Sequence, residues 1–270
     1  LIPASFSVWV LDRVDRFVIG SWWGATAVGV YSANYALGSM LILFVYPIQI
    51  VLLPKVSALW DRDRDTALRY LSASSHAFLT LAIPFVVSVP IIAEPTLRLL
   101  GNQEIAAESG LINLLISGGV MLWGVSVLQA VILSGAQRTR PVGVTTLLAA
   151  TLNLALNLAL VPFMGVTGAA LATLVAYAAN CAALAWFGRS TVRLDLDARY
   201  LSRCLAASGA LAGALALARP EHPWSLVVAT LAGGVCYLAL VWWLRHVLPS
   251  RVDASIVRVL ALLWRRGSSL

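Results

Sequence analysis

The sequence predicts an all-α, polytopic transmembrane bundle of about eight helices, and three observations carry that reading. Apolar residues make up 60% of the 270 and charged residues only 11%, with a mean hydropathy of +0.86, whereas roughly a quarter of a soluble domain is charged. Apolar runs long enough to cross lipid recur along the chain, about 20 residues sufficing for a ~30 Å hydrocarbon core. The cations collect in alternate connections, as in a chain that threads back and forth through a bilayer. Backbone groups find no water in lipid, so each run must be helical, and the lack of period-two alternation argues against a barrel.

In chain order the runs cover about 1–20, 26–52, 70–92, 109–134, 142–161, 167–187, 203–218 and 225–244. The connection after the second holds Lys55, Arg62, Arg64 and Arg69; that after the fourth, Arg138 and Arg140; that after the sixth, Arg189, Arg193, Arg199 and Arg203. Arg245, Arg251, Arg258, Arg265 and Arg266 follow the eighth, while the opposite side holds only Arg98 and Arg219. The rich side is expected in the cytoplasm, with the carboxyl end. Trp22, Trp23, Trp60, Trp224, Trp242 and Trp243 sit near run ends, as an interfacial aromatic belt would. The first run then starts on the cytoplasmic side. With Leu1 in place of an initiator Met and no signal-peptide pattern, the chain is expected to be part of a longer protein that has lost an amino-terminal half.

Some function classes are disfavoured at once. Basic residues spread over connections and tail, without one patch of interleaved aromatics, argue against nucleic acid. Cys181, Cys204 and Cys236 lie in apolar runs without metal or disulfide spacing, and no metal or cofactor is expected. "DRDRD" at 61–65 reads as a solvated turn. The tail "RVDASIVRVLALLWRRG" has apolar residues at helical spacing beside arginines, which suits a helix lying on the inner leaflet.

Residues 141–178, "PVGVTTLLAATLNLALNLALVPFMGVTGAALATLVAYA", read as a tight helical hairpin. Asn153 and Asn157, one turn apart, stack on one face and need partners. Pro162 and Gly165 break the helix, and Gly168, Ala169, Ala170 and Ala172 let the returning helix come close. This stretch resembles the "N-(x)3-N … P-x-x-G-x-x-GAA-x-AT" pattern of polysaccharide exporters and O-antigen flippases in the multidrug/oligosaccharidyl-lipid/polysaccharide transporter superfamily. "AVGVYSANYALGSMLILFVYPIQIVLLPKVSAL" (27–59) is similar to that family's eighth helix and "VLDRVDRFVIGSWWGATAVGVYS" to its seventh.

The resemblance implies two six-helix lobes facing each other in a V, as in MATE-like transporters, with the cargo between them and alternating access by rocking. Residues 1–188 would be the carboxyl-terminal lobe, 189–246 an added helix pair and 247–270 a basic cytoplasmic tail. The other lobe of the same protein and membrane lipids would be its partners. The implied cargo is a lipid-linked saccharide of the undecaprenyl-diphosphate type, flipped across a bacterial inner membrane. A multidrug exporter or a peptidoglycan-precursor flippase is the near alternative. A membrane glycosyltransferase or polymerase, which would lean on "DRD" (61–65) or "DLD" (195–197), is the alternative from another class; no enzyme is expected.

Asp12, Arg13, Asp15 and Arg16 place four charges in the first run. An unpaired charge at mid-membrane opposes insertion by about 3 kcal/mol, so these must pair or face water. Pairing at i,i+4 between Asp12 and Arg16 near the helix end is one reading. In the other, Arg13 or Arg16 faces the cavity, where a guanidinium fork suits a diphosphate, and Asp12 or Asp15 couples transport to a proton or sodium gradient. Tyr31, Asn34, Asn153 and Asn157 complete the expected substrate contacts, with Tyr35, Gln49, Gln129 and Asn180 weaker. His76 is expected at the interface, and Gly209 and Gly213 as a close-packing GxxxG.

Overall fold

The computed structural model describes residues 2–100, 106, 109–189, 197–218 and 222–244. Seven α-helices run through them: α1 (Ile2–Gly38), α2 (Ile42–Leu59), α3 (Arg64–Leu100), α4 (Ser109–Gly135), α5 (Thr139–Gly188), α6 (Ala198–Ala218) and α7 (Pro223–Leu244), with a 3₁₀ turn at Ser39–Leu41 between the first two. There is no strand among the described residues. The all-helical membrane class holds, and the protein is a multi-pass membrane protein.

The count differs from eight: six helical stretches are long and apolar enough to cross a membrane, α1 and α2 together forming one of 47 residues and α5 being another of 50. A straight helix of 50 residues would reach about 75 Å, more than twice the bilayer core. Neither stretch is straight. Gly24 (φ 78°, ψ −177°) and Gly165 (φ 57°, ψ −134°) leave helical geometry, in regions of backbone space that essentially only glycine occupies. Each chain turns back there, so a Cβ added to Gly168 would stand 2.8 Å from the Leu160 carbonyl oxygen. Pro162 stays inside the helix, so the break expected of the Pro162–Gly165 pair falls on the glycine.

The buried face of each arm meets a shared core that includes Leu41, Val45, Phe78, Ile112, Ile116 and Leu128. Helix α4 lies at its centre, packed against α5, α3 and α2, while α1 packs along α5. Small residues permit the approach: the Cβ of Ala169, Ala170 and Ala172 are fully enclosed. Helices α6 and α7 join from the side, α6 against α3 and α7 chiefly against α6. Trp224, Val228, Leu231 and Val235 of α7 face outward, as lipid-facing residues do. The GxxxG expectation fails here: a Cβ on Gly209 or Gly213 would meet no described atom within 4 Å, and the close contact falls on Gly233, whose Cβ would lie 2.5 Å from Leu211 Cδ1. The expected cytoplasmic tail, 247–270, lies outside the described residues.

Candidate functional site

The turn at Gly24 brings the second arm of α1 back over the first. In an unbroken helix Asp15 and Tyr31 would stand about 24 Å apart; here the Tyr31 hydroxyl donates a hydrogen bond to Asp15 Oδ2. Both residues are fully buried. Asp15 Oδ1 accepts from the Arg16 backbone N–H at 2.8 Å and from Arg16 Nη1 at 3.3 Å. Tyr31 and Tyr35, one turn apart on the returning arm, hold their ring centroids 5.8 Å from each other. The Arg16 guanidinium lies 4.7 Å from the Tyr35 centroid and 5.6 Å from that of Tyr31, where ring quadrupoles attract a cation. Arg16 thus pairs with its neighbour Asp15 while the rings of the two tyrosines flank its guanidinium. The side chain of Asp12, an expected ion-coupling residue, lies outside the described residues, and Arg13 is exposed.

The second hairpin adds polar groups to the same interior. Thr173, on the returning arm of α5, accepts from Asn153 Nδ2 at 3.5 Å. Asn157 Nδ2 donates back to Asn153, 3.2 Å to Oδ1 and 2.9 Å to the carbonyl. Arg16, Asp15 and Tyr31 thus form one bonded polar group in the first hairpin and Thr173, Asn153 and Asn157 another in the second, both enclosed except at the arginine end. Trp23, beside the first turn, donates from Nε1 to the Val161 carbonyl at 2.8 Å and ties the two turns together.

Asn34 stands apart from both groups. Its Oδ1 accepts from Asn113 Nδ2 at 2.6 Å, and Asn113 also donates to the Ser109 carbonyl while Ser117 donates to Asn113's carbonyl. Asn113 went unnoticed in the sequence, although Ser109, Asn113 and Ser117 recur every fourth residue and so share one face of α4.

On the other flank, His76 is fully buried rather than interfacial. Its Nδ1 donates to the Ser72 carbonyl at 2.7 Å, its Nε2 accepts from the Asp197 N–H at 3.3 Å, and Tyr200 meets its ring edge-on. Asp197 in turn caps α6 through the Arg199 N–H at 2.9 Å. Arg203, counted among the cations of the sixth connection, is buried inside α6 with its guanidinium 5.1 Å from the Tyr200 ring. Tyr237 of α7 donates to the Thr80 carbonyl at 2.8 Å, and the Thr80 and Tyr200 hydroxyls pair. These bonds dock the last two helices on α3. Among the described residues no group of three His, Cys, Asp or Glu side chains is placed to hold a metal.

The sequence model of the lipid II flippase MurJ matches residues 13–246. The chain belongs to that family. MurJ proteins are members of the multidrug/oligosaccharidyl-lipid/polysaccharide superfamily to which the sequence motifs pointed. The structure of a lipid II flippase MurJ in an inward closed conformation superposes with a TM-score of 0.73 over 89% of this chain and 52% of that one, at 17% identity. Two curated relatives come from Haloferax volcanii. The probable flippase AglR is 29% identical over 167 residues, 60% of this chain and 34% of AglR. The probable low-salt glycan biosynthesis flippase Agl15 is 23% identical over 215 residues, 79% of this chain and 45% of Agl15. The MurJ-family chain therefore spans between about a third and a half of the length of these proteins.

Proposed function

We propose that this chain is one lobe of a flippase that carries a lipid-linked saccharide across the membrane by alternating access, with a second lobe of the same protein facing it. Family membership and the two flippase relatives support a transporter over a catalytic enzyme. The observation that carries the mechanism is Asp15: a carboxylate wholly enclosed beside a guanidinium that keeps one end toward the surface. Burying such a group is costly unless it is paired, and a pair whose charge can be neutralised gives two states of different energy. In our reading a proton or small cation at Asp15 releases Arg16, and Arg16 together with exposed Arg13 takes the cargo's diphosphate. Tyr31, Asn153 and Asn157 serve by holding Asp15 and the hairpins in register, and Asn34 by fixing α1 to α4.

The test is translocation of a fluorescent polyprenyl-diphosphate saccharide in vesicles holding the full-length protein. R13A/R16A is expected to lose most transport at normal protein level, and D15N to lose its dependence on an imposed ion gradient. Unchanged transport in the arginine variant would refute the cargo role.

For the cargo, the family description favours a peptidoglycan precursor, while the relative named for glycan biosynthesis favours another lipid-linked glycan; an O-antigen repeat on an undecaprenyl-type carrier is our reading of the second kind. Expression of the full-length protein in bacterial strains lacking one or the other flippase separates the two. We place the protein in a bacterial inner membrane with its arginine-rich ends and carboxyl terminus in the cytoplasm, which cysteine-accessibility labelling of the connections tests.

A further inference from the structure

Helix α1 packs along α5, whereas α2 packs on α4 and α3. A cleft opens between α2 and α5, with α4 as its floor. The cavity measures about 280 Å³ and is lined by Tyr46 and Gln49 of α2, Trp123 and Ser126 of α4, and Thr146 and Asn180 from the two arms of α5. That is roughly the liquid volume of nine waters, enough for one sugar ring.

The chemistry of the lining is selective. Asn180 is 2% exposed, and its Oδ1 accepts no hydrogen bond. Such a buried acceptor is rare and calls for a donor. The Ser126 hydroxyl donates to the Leu122 carbonyl at 2.9 Å and that of Thr146 to the Val142 carbonyl at 2.8 Å, so what each can still offer is its acceptor capacity. Trp123 is held in place by Tyr177, with ring centroids 5.0 Å apart. Three acceptors and an indole suit a ligand with several O–H donors and an apolar C–H face. No lining residue is charged, so neither a phosphate nor a cationic drug finds a counter-charge there.

Counted from the hairpin turns, Asp15 lies about 13 Å deep and the cleft about 25 Å deep, nearer the arginine-rich end. The two are separate subsites. We propose that this cleft binds one sugar ring of the cargo's head group, an inference that rests on the lipid-linked-saccharide reading above.

The experiment measures binding to the full-length protein in nanodiscs, with two probes: a polyprenyl diphosphate bearing one N-acetylhexosamine, and the same polyprenyl diphosphate without sugar. The sugar-bearing probe is expected to bind roughly tenfold tighter, about what a hydrogen bond and a ring contact supply. Asn180→Leu should abolish that preference and leave affinity for the bare probe unchanged. Gln49→Ala, at a half-buried position that tolerates truncation, should weaken the preference and provides the readout where Asn180→Leu fails to fold. A preference that persists undiminished in the variants overturns the subsite. Equal binding of both probes to the wild type overturns the subsite alone, and binding of neither overturns the saccharide reading with it.

Discussion

Replacing Tyr31 with phenylalanine isolates one atom of the buried charge chain. The ring, enclosed at 0% exposure, keeps its contacts with Tyr35 and the Arg16 guanidinium, but the O–H that donates to Asp15 Oδ2 is gone. The bonds from Arg16 to Asp15 Oδ1 remain. A hydrogen bond to a charged group is worth about 1.5–3 kcal/mol. At about 2–4 °C per kcal/mol for a chain of this order of size, Y31F should melt roughly 3–12 °C lower. The assay is thermal unfolding in detergent at neutral pH for the wild type, Y31F, D15N and the double variant. Removing the carboxylate charge first should leave less for the hydroxyl to lose, so the cycle should close with a coupling of about 1–2 kcal/mol. A Y31F melting point within one degree of the wild type, or strictly additive effects, would refute the idea that this bond organises the hairpin.

Three other outcomes follow from the backbone and the connections. Gly24→Ala, at φ 78° with open space around its Cβ, should cost about 1–3 kcal/mol through backbone strain alone, while Gly29→Ala, equally open but helical, should be neutral or slightly stabilising; differential scanning fluorimetry compares them. Gln137 ends α4 with φ 57° in a Schellman turn, Arg138 N–H donating to the Leu133 carbonyl at 2.7 Å, so Gln137→Gly should raise stability by about 1 kcal/mol. Asp63 caps α3 by accepting from the Thr66 hydroxyl and N–H, which lowers its carboxyl below the ordinary 3.8. A depressed folded-state value stabilises above the unfolded one and is lost as pH falls through the folded one. Below about pH 4 the wild type should therefore lose melting temperature faster than D63N, which a pH series of melts checks.

The eight apolar arms were legible because lipid selects for uninterrupted apolarity. Their ends were less so. Helix α3 runs Arg64–Leu100 where hydropathy marks only 70–92, since a helix continues past the hydrocarbon edge once its polar residues find water, and Pro84, Pro90 and Pro95 do not stop it. The hairpin at Gly165 showed in the Pro and Gly spacing, and the small residues after it. The Tyr31 bond to Asp15 did not, because it joins residues 16 positions apart on opposing arms. Nor did the Asn34–Asn113 bond, which joins residues 79 positions apart. His76 was read as interfacial from its nearness to a basic connection; the covering helix, α6, begins more than a hundred residues later.

The Trp23 indole joins the tips of two reversals that belong to different stretches of chain, and a Cβ on Gly165 would sit 3.5 Å from its ring. The four arms beneath those tips are therefore coupled at their ends, and α6 and α7 are fastened separately, at the opposite flank, through Thr80 and His76. Spin labels on the two tips should report one narrow distance, which Trp23→Phe, lacking the indole N–H, should broaden.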